Sequence, residues 1–305
     1  MTYHNSGTAD VTLDLAVNAK GPDGNPAPNG VFSLSTNRVT VPAGGQAQVS
    51  LTGDPRAAKL DGAYSGAIVA TSGSSSAITP FAITREAESY NLTINVRDLA
   101  GAPTADYGVA IIGYDDNRIR FPYDPDGTLT VRLPKGRYFI DTTVVRDPGG
   151  PAEHFSLVEH PNTTLNRDTT LEAPASAAKP VKVSTPDPAA TLLLGDFGFD
   201  VRTANGRFIS AFITFDLSVL SVGQRGPSAR PEELTTRINT QWGAPSGAFY
   251  GLAWFERGTV PTGFIKEVKQ KDLATLEADL GSVTPNRVGA AFRSEERRVG
   301  KECRS

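Results

Sequence analysis

Three histidines, His4, His154 and His160, are the only imidazoles in 305 residues. His154 and His160 stand six apart, each preceded by a glutamate, Glu153 and Glu159, in a stretch that reads as a strand. An even spacing on a strand sends side chains to one face, so this group could hold a metal ion. A fixed site needs at least a third ligand held in place, and the sequence supplies none. The expectation is surface histidines between strands, with no metal. Asp115-Asp-Asn117 and Asp124-Pro-Asp-Gly127 carry oxygens suited to calcium. They lack the distal glutamate of a complete acidic loop, and Asp-Gly is a hairpin signal, so both are expected to be turns. Trp242, Tyr250, Trp254 and Phe255 could form a stacking platform for sugar rings. Aromatics near strand ends also fill cores, and that is the expectation for these four.

Nucleophilic catalysis needs a serine or thiol, a base within reach and a group that orients the base. No His-Glu-x-x-His stretch occurs, nor a Gly-x-Ser-x-Gly elbow at a strand-to-helix junction. Phosphate and dinucleotide fingerprints are missing too. The expectation is a non-catalytic chain with no cofactor.

The elements that would position such residues are strands. Hydrophobic residues make 39% of the chain and charged residues 21%, while 30 glycines and 22 prolines punctuate it. That profile suits all-β modules rather than a helical bundle. No apolar run approaches the ~20 residues that cross a bilayer as a helix. The net charge of −3 gives no electrostatic case for nucleic acid.

Val11, Leu13, Leu15 and Val17 alternate with Thr12, Asp14 and Ala16, the signature of a half-buried strand. Turn formers fill 21–30, and Val39-Thr-Val-Pro-Ala-Gly-Gly45 reads as strand and turn. Tyr64-Ser-Gly-Ala-Ile-Val-Ala70 is a further strand, with Gly66 placed for a close backbone approach. Together with Asn5–Leu15 and Gly62, these segments resemble the fibronectin type III-like domain that follows the catalytic domain of large secreted subtilisin-family serine peptidases. The resemblance covers residues 1–85 and implies a β-sandwich.

A second module is expected over 86–172. Its order of Asp126-Gly, a strand with Leu129, Val131 and Leu133, Pro134-Lys-Gly136 and the aromatic strand Tyr138-Phe-Ile140 resembles transthyretin-like sandwiches of exported bacterial enzymes. Residues 173–190, rich in proline and alanine, read as a semi-extended linker. A third β-rich domain is expected over 191–292. Its Phe249–Gly263 segment resembles parts of the C-terminal extensions of actinobacterial subtilisin-family peptidases, and 266–280 leans towards strand. Residues 293–305 resemble a translated short-read sequencing adapter. Setting them aside removes the one cysteine, Cys303, and leaves 25 basic against 30 acidic residues.

These resemblances imply a secreted or wall-associated accessory region that braces or spaces an upstream catalytic domain of the same chain. They further imply a docking patch for that domain near Tyr3, and possible contact with a protein substrate or cell-wall glycan. The alternative is an extracellular binding module of an adhesin or carbohydrate-active protein. Fold analogy does not separate the two.

Overall fold

The computed structural model describes residues 1–115 and 118–275. The chain is all-β, as its composition implies, and forms two compact units that meet at Ser89/Tyr90.

The first unit runs through β1 (Thr2–His4), β2 (Val11–Lys20), β3 (Phe32–Leu34), β4 (Arg38–Val41), β5 (Gln46–Gln48), β6 (Leu51–Gly53), β7 (Gly62–Ser72) and β8 (Ser75–Arg85). One sheet has the order β4-β2-β7-β8, and the pairs β1-β5 and β3-β6 oppose it. Leu15, Ile68 and Ala70 of the first sheet bury against Leu34 and Leu51 of the pairs and against Val49, between β5 and β6. The Pro42–Gly45 turn closes with Gly45 N–H donating to the Pro42 carbonyl (3.0 Å), and Gly44 takes a left-handed φ of 65°. Buried Tyr64 donates its hydroxyl to the Leu60 carbonyl (2.9 Å), which ties the start of β7 to the preceding loop. That back-bond is the tyrosine-corner device of β-sandwiches. Tyr3 packs among the partly buried residues of this core.

Gly66 is a close approach, as its position in a strand implies. A Cβ there would lie 2.0 Å from the Asn18 carbonyl oxygen and 2.6 Å from the Ala19 Cα. Neither backbone atom can swing away as a side chain could. Gly66→Ala should cost about 3 kcal/mol, the upper range for forcing atoms into a packed site. Calorimetry would then show the first unit melting earlier while the second is unmoved; an unchanged trace would refute the steric account.

The second unit contains β9 (Ser89–Arg97), β10 (Tyr107–Gly113), β11 (Ile119–Arg120), β12 (Thr128–Pro134), β13 (Gly136–Arg146), β14 (His154–Leu165), β15 (Thr169–Pro174) and β16 (Lys179–Ser184). It continues with β17 (Thr191–Thr203), β18 (Gly206–Thr214), β19 (Leu220–Gln224), β20 (Leu234–Gly243), β21 (Phe249–Arg257) and β22 (Phe264–Glu267). Three sheets result: a seven-stranded one ordered β11-β10-β13-β14-β19-β16-β22, a three-stranded one ordered β12-β9-β15 and a four-stranded one ordered β18-β17-β20-β21.

The seven-stranded sheet is the middle layer. Successive side chains of a strand face opposite ways. Ile111, Tyr138, Ile140 and Val158 therefore bury with Leu92, Ile94 and Val96 of β9. Their neighbours Ile112, Phe139 and Leu157 bury with Phe197, Phe199 and Val201 of β17 on the other side. Apolar residues on both faces are what a central strand between two layers requires.

This corrects the expected division into 86–172, a linker and 191–292. Residues from both expected domains share the middle sheet: β14 pairs in parallel with β19, Phe155 opposite Leu220. The expected linker holds the end of β15, a short 3-10 turn at Ala175–Ala177 and β16, with Ala173, Ala175, Val181 and Val183 buried. Its prolines fall where they cost little, Pro174 at the end of β15 and Pro180 next to the start of β16. Of the segment expected as strand over 266–280, Lys266 and Glu267 are in β22, and a 3-10 turn follows at Gln270–Asp272. Its end from Leu276 onward lies outside the described residues, as does the 293–305 tail.

Candidate functional site

A cleft of about 580 Å3 opens in the second unit where β16 and β22 leave the middle sheet. The two strands pair in parallel, with Ser184 opposite Glu267, so their C-terminal ends emerge side by side. The chain beyond β16 makes one wall through Thr185, Pro186, Asp187 and Pro188. That wall is stiff. Thr185 Oγ1 donates to the Asp187 carbonyl (2.8 Å), Asp187 Oδ1 accepts from Ala189 N–H (2.9 Å), and two prolines fix their own φ. The chain beyond β22 makes the facing wall through Val268, Lys269 and Gln270, anchored by Val268 N–H on the Ser184 carbonyl (3.0 Å).

Trp242, near the end of β20, lines the same cleft while packing partly against the core. Its indole N–H is already used, donating to Thr240 Oγ1 at 2.9 Å. What the residue offers a ligand is therefore a ring face rather than a hydrogen bond. Hydroxyls from Ser184 and Thr185, the Gln270 amide, two carboxylates (Asp187 and Glu267) and one ammonium (Lys269) stand around it. An aromatic face ringed by mixed donors and acceptors can hold a polyhydroxylated ring, whose C–H face stacks while its hydroxyls exchange hydrogen bonds.

The four aromatics singled out in the sequence do not form one platform. Trp242, Tyr250 and Trp254 face the core, where Trp254 meets Phe264 edge-on at 5.2 Å. Phe255, next along β21, turns to the other side and is exposed. Of the four, Trp242 lines the cleft.

His154 and His160 share the strand β14 and, by parity, one face. Six residues of strand separate them by about 20 Å, too far for one ion. Both are at least partly buried, which corrects the expectation of surface histidines. His154 Nε2 bonds Ser221 Oγ at 2.9 Å. Its pKa is lowered, chiefly by burial and then by the charge of Arg146. His160 is held to about 4 by burial, with a smaller push from Arg225. Among the described residues no three His, Cys, Asp or Glu side chains converge as a metal cluster would.

The turn expected at Asp124–Gly127 is a turn, closed by Gly127 N–H on the Asp124 carbonyl (3.1 Å). Asp124 Oδ1 accepts the Asp126 N–H (3.0 Å), and the Asp124 carbonyl accepts the Tyr107 hydroxyl (2.8 Å). Asp115 lies 3.6 Å from the Arg137 guanidinium; Asp116 and Asn117 fall outside the described residues. Arg137 makes its main contact with Glu233, as a fork of 2.9 and 2.6 Å, and stacks over the Tyr114 ring. That fork holds the Glu233 carboxyl below the ordinary value.

Glu159 is fully buried opposite Asp141, a residue that attracts no attention in the sequence. Burial pushes Asp141 up to about 6 and Glu159 well above its ordinary value, Glu159 being raised further by the Asp141 charge.

No protein-family model matches the sequence, and no curated protein matches it. No helix among the described residues is long and apolar enough to cross a membrane. Among solved structures, the chain is similar to a candidate adhesin from Bacteroides ovatus ATCC 8483, at 12% identity over 63% of this chain and 94% of that one, with a TM-score of 0.23. It is similar to the Bacillus anthracis TIE protein at 10% identity over 86% and 52% of the two chains, TM-score 0.22. A group B streptococcus pilus 2b backbone protein is matched at 12% identity over 57% and 89%, TM-score 0.18. The likeness is one of β-rich class, and the functional reading rests on this chain's own geometry.

Proposed function

We propose that this chain is a non-catalytic extracellular binding module whose second unit holds a neutral or weakly charged glycan, such as a cell-wall polysaccharide, in the Trp242 cleft. The observation that carries the reading is that Trp242 lines one cleft together with Ser184, Thr185, Glu267 and Gln270. No histidine lines that cleft, so the hydroxyls there have no imidazole base beside them. The resemblance of 1–85 to the fibronectin type III-like domain of subtilisin-family peptidases supports a second reading, an accessory region that positions a catalytic domain. The Tyr64 back-bond and the Pro42–Gly45 turn fit a sandwich of that kind. Under either reading the chain acts outside the cell or at its wall.

The test is titration calorimetry with soluble wall polysaccharide fragments. Trp242→Ala should weaken binding about fivefold or more, since stacking on an aromatic ring is commonly worth about 1 kcal/mol. Because Trp242 also packs on the core, Gln270→Ala is the companion variant; Gln270 is exposed and should weaken binding severalfold with no change in melting. Equal affinity in both variants, or no binding by the wild type, removes the cleft from the account and leaves the accessory reading.

A further inference from the structure

Asp141 on β13 and Glu159 on β14 are direct cross-strand partners, on the face that packs against the four-stranded layer. Cross-strand side chains sit within about 5.5 Å of each other, so a half-buried acid, Asp141, faces a fully buried one, Glu159. Glu159 has no solvent exposure, and neither of its carboxyl oxygens meets an N–H or hydroxyl donor. A bare carboxylate in that position would be costly. The two carboxyls do contact one another, and such a contact is a hydrogen bond only if one of them carries a proton.

Among the described residues the surroundings supply no countercharge. Opposite Asp141 on its other side is Ala110 of β10. Opposite Glu159 on its other side is Gln224 of β19, whose amide is occupied with Val260, Gly226 and Ser228. From β18 the Ser210 hydroxyl comes near enough to Asp141 to favour its charged form. Arg225 follows β19 and gives its backbone N–H to the Glu159 carbonyl (2.7 Å), while its charge acts on His160. Arg237 touches the Ser210 carbonyl (3.4 Å) from β20, and Arg207 is committed to Asp200. His160 lies on the opposite face of β14.

We propose that Asp141 and Glu159 share a single proton, and that this proton, with the Ser210 hydroxyl, is a pH-sensitive clasp between the middle sheet and the edge strand β18. Glu159 keeps the proton and donates it to Asp141, whose carboxylate also accepts from Ser210. Loss of the proton leaves two facing negative charges with no cation near them, and the simplest relief is to admit water by lifting β18. The direction follows from linkage. Both groups bind protons more tightly folded than unfolded, so stability is full below the ordinary carboxyl range and is lost as pH rises through about 6 for Asp141 and through the raised pKa of Glu159. The second unit is thus clasped in acidic surroundings and loosened in alkaline ones.

The experiment is thermal unfolding and amide exchange of the full chain between about pH 5 and about pH 9, spanning the titration that linkage predicts. In the wild type the midpoint should fall with rising pH, and exchange in β18 should accelerate at least tenfold beyond its chemical rate. Glu159→Gln supplies a permanent amide donor to Asp141, and the double variant D141N/E159Q removes both charges; each should flatten the alkaline decline. A decline that persists unchanged in both variants overturns the proposal. So does recovery of the wild type at alkaline pH on adding calcium or magnesium chloride, since a metal would then bridge the pair. Should the variants fail to fold, carbon-13 NMR of the wild-type carboxyls decides. The clasp requires one glutamate that titrates well above the ordinary carboxyl range, and titration of every carboxyl in the ordinary range would refute it.

Discussion

Phe199→Ala should destabilise the entire second unit by about 3–5 kcal/mol, the usual cost of emptying a buried phenylalanine site. Phe199 is 1% exposed and sits between Phe139 of the middle sheet, at 5.2 Å, and Phe197 of its own strand, at 5.5 Å. It therefore joins a strand from the expected second domain to one from the expected third. If these were separate domains, the loss would stay with 191 onward. With a shared middle sheet the loss must spread. Trp242 and Trp254 report on the four-stranded layer by fluorescence, and amide exchange at Leu92 and Ile94 reports on the far layer. Both probes should shift to the same lower midpoint. A tryptophan transition that moves alone, with Leu92 and Ile94 protected as before, would restore the independent domains.

The reason the sequence misleads at this point is physical. Alternation in Tyr90–Val96 and Val11–Val17 is legible because one side of each strand is polar. In β10 and β13 both sides are apolar, as Val109–Ile112 and Tyr138–Ile140 show, which marks a central strand without naming the layers on either side. Residues 173–190 carry the composition of a linker, yet Val181 and Val183 supply a period-two pair that buries as soon as β19 and β22 arrive to cover it. Those partners lie some forty to eighty residues further along the chain, beyond the range of a local pattern. Gly66 and the Pro42–Gly45 turn are legible because their constraint is local. The Trp242 cleft is not, since its walls come from 183–190 and 267–270 and meet only through the β16–β22 pairing. Asp141 is hidden for a related reason. In Ile140-Asp-Thr-Thr143 it reads as a solvent-side residue, and its partner is found only in the β13–β14 register.

His160 should make the second unit acid-sensitive, opposite in sign to the carboxyl clasp on the other face of the same strand. Its side chain is 5% exposed, and Nδ1 has no partner. The Glu172 carbonyl beside the ring favours the charged form, but desolvation and the Arg225 charge outweigh it and hold the pKa to about 4. An unfolded histidine takes its proton near 6.5, so between 6.5 and about 4 the unfolded chain binds the extra proton and the folded one does not. Stability contributed by the neutral ring is therefore complete above 6.5 and drains away as pH falls to about 4, by an amount on the order of 3 kcal/mol. The clasp gains stability over the same descent, so in the wild type the histidine limb and the clasp limb oppose one another, and the profile between 6.5 and about 4 is their difference. His160→Gln keeps a donor for the Glu172 carbonyl and cannot titrate. It should remove the acid limb between 6.5 and 4 while leaving the alkaline limb intact, and Glu159→Gln should do the reverse. Urea midpoints of the two variants across that range separate the effects cleanly. An acid limb that survives in His160→Gln would assign it to carboxylates such as Glu233, whose bond to Arg137 is lost only below the ordinary carboxyl value.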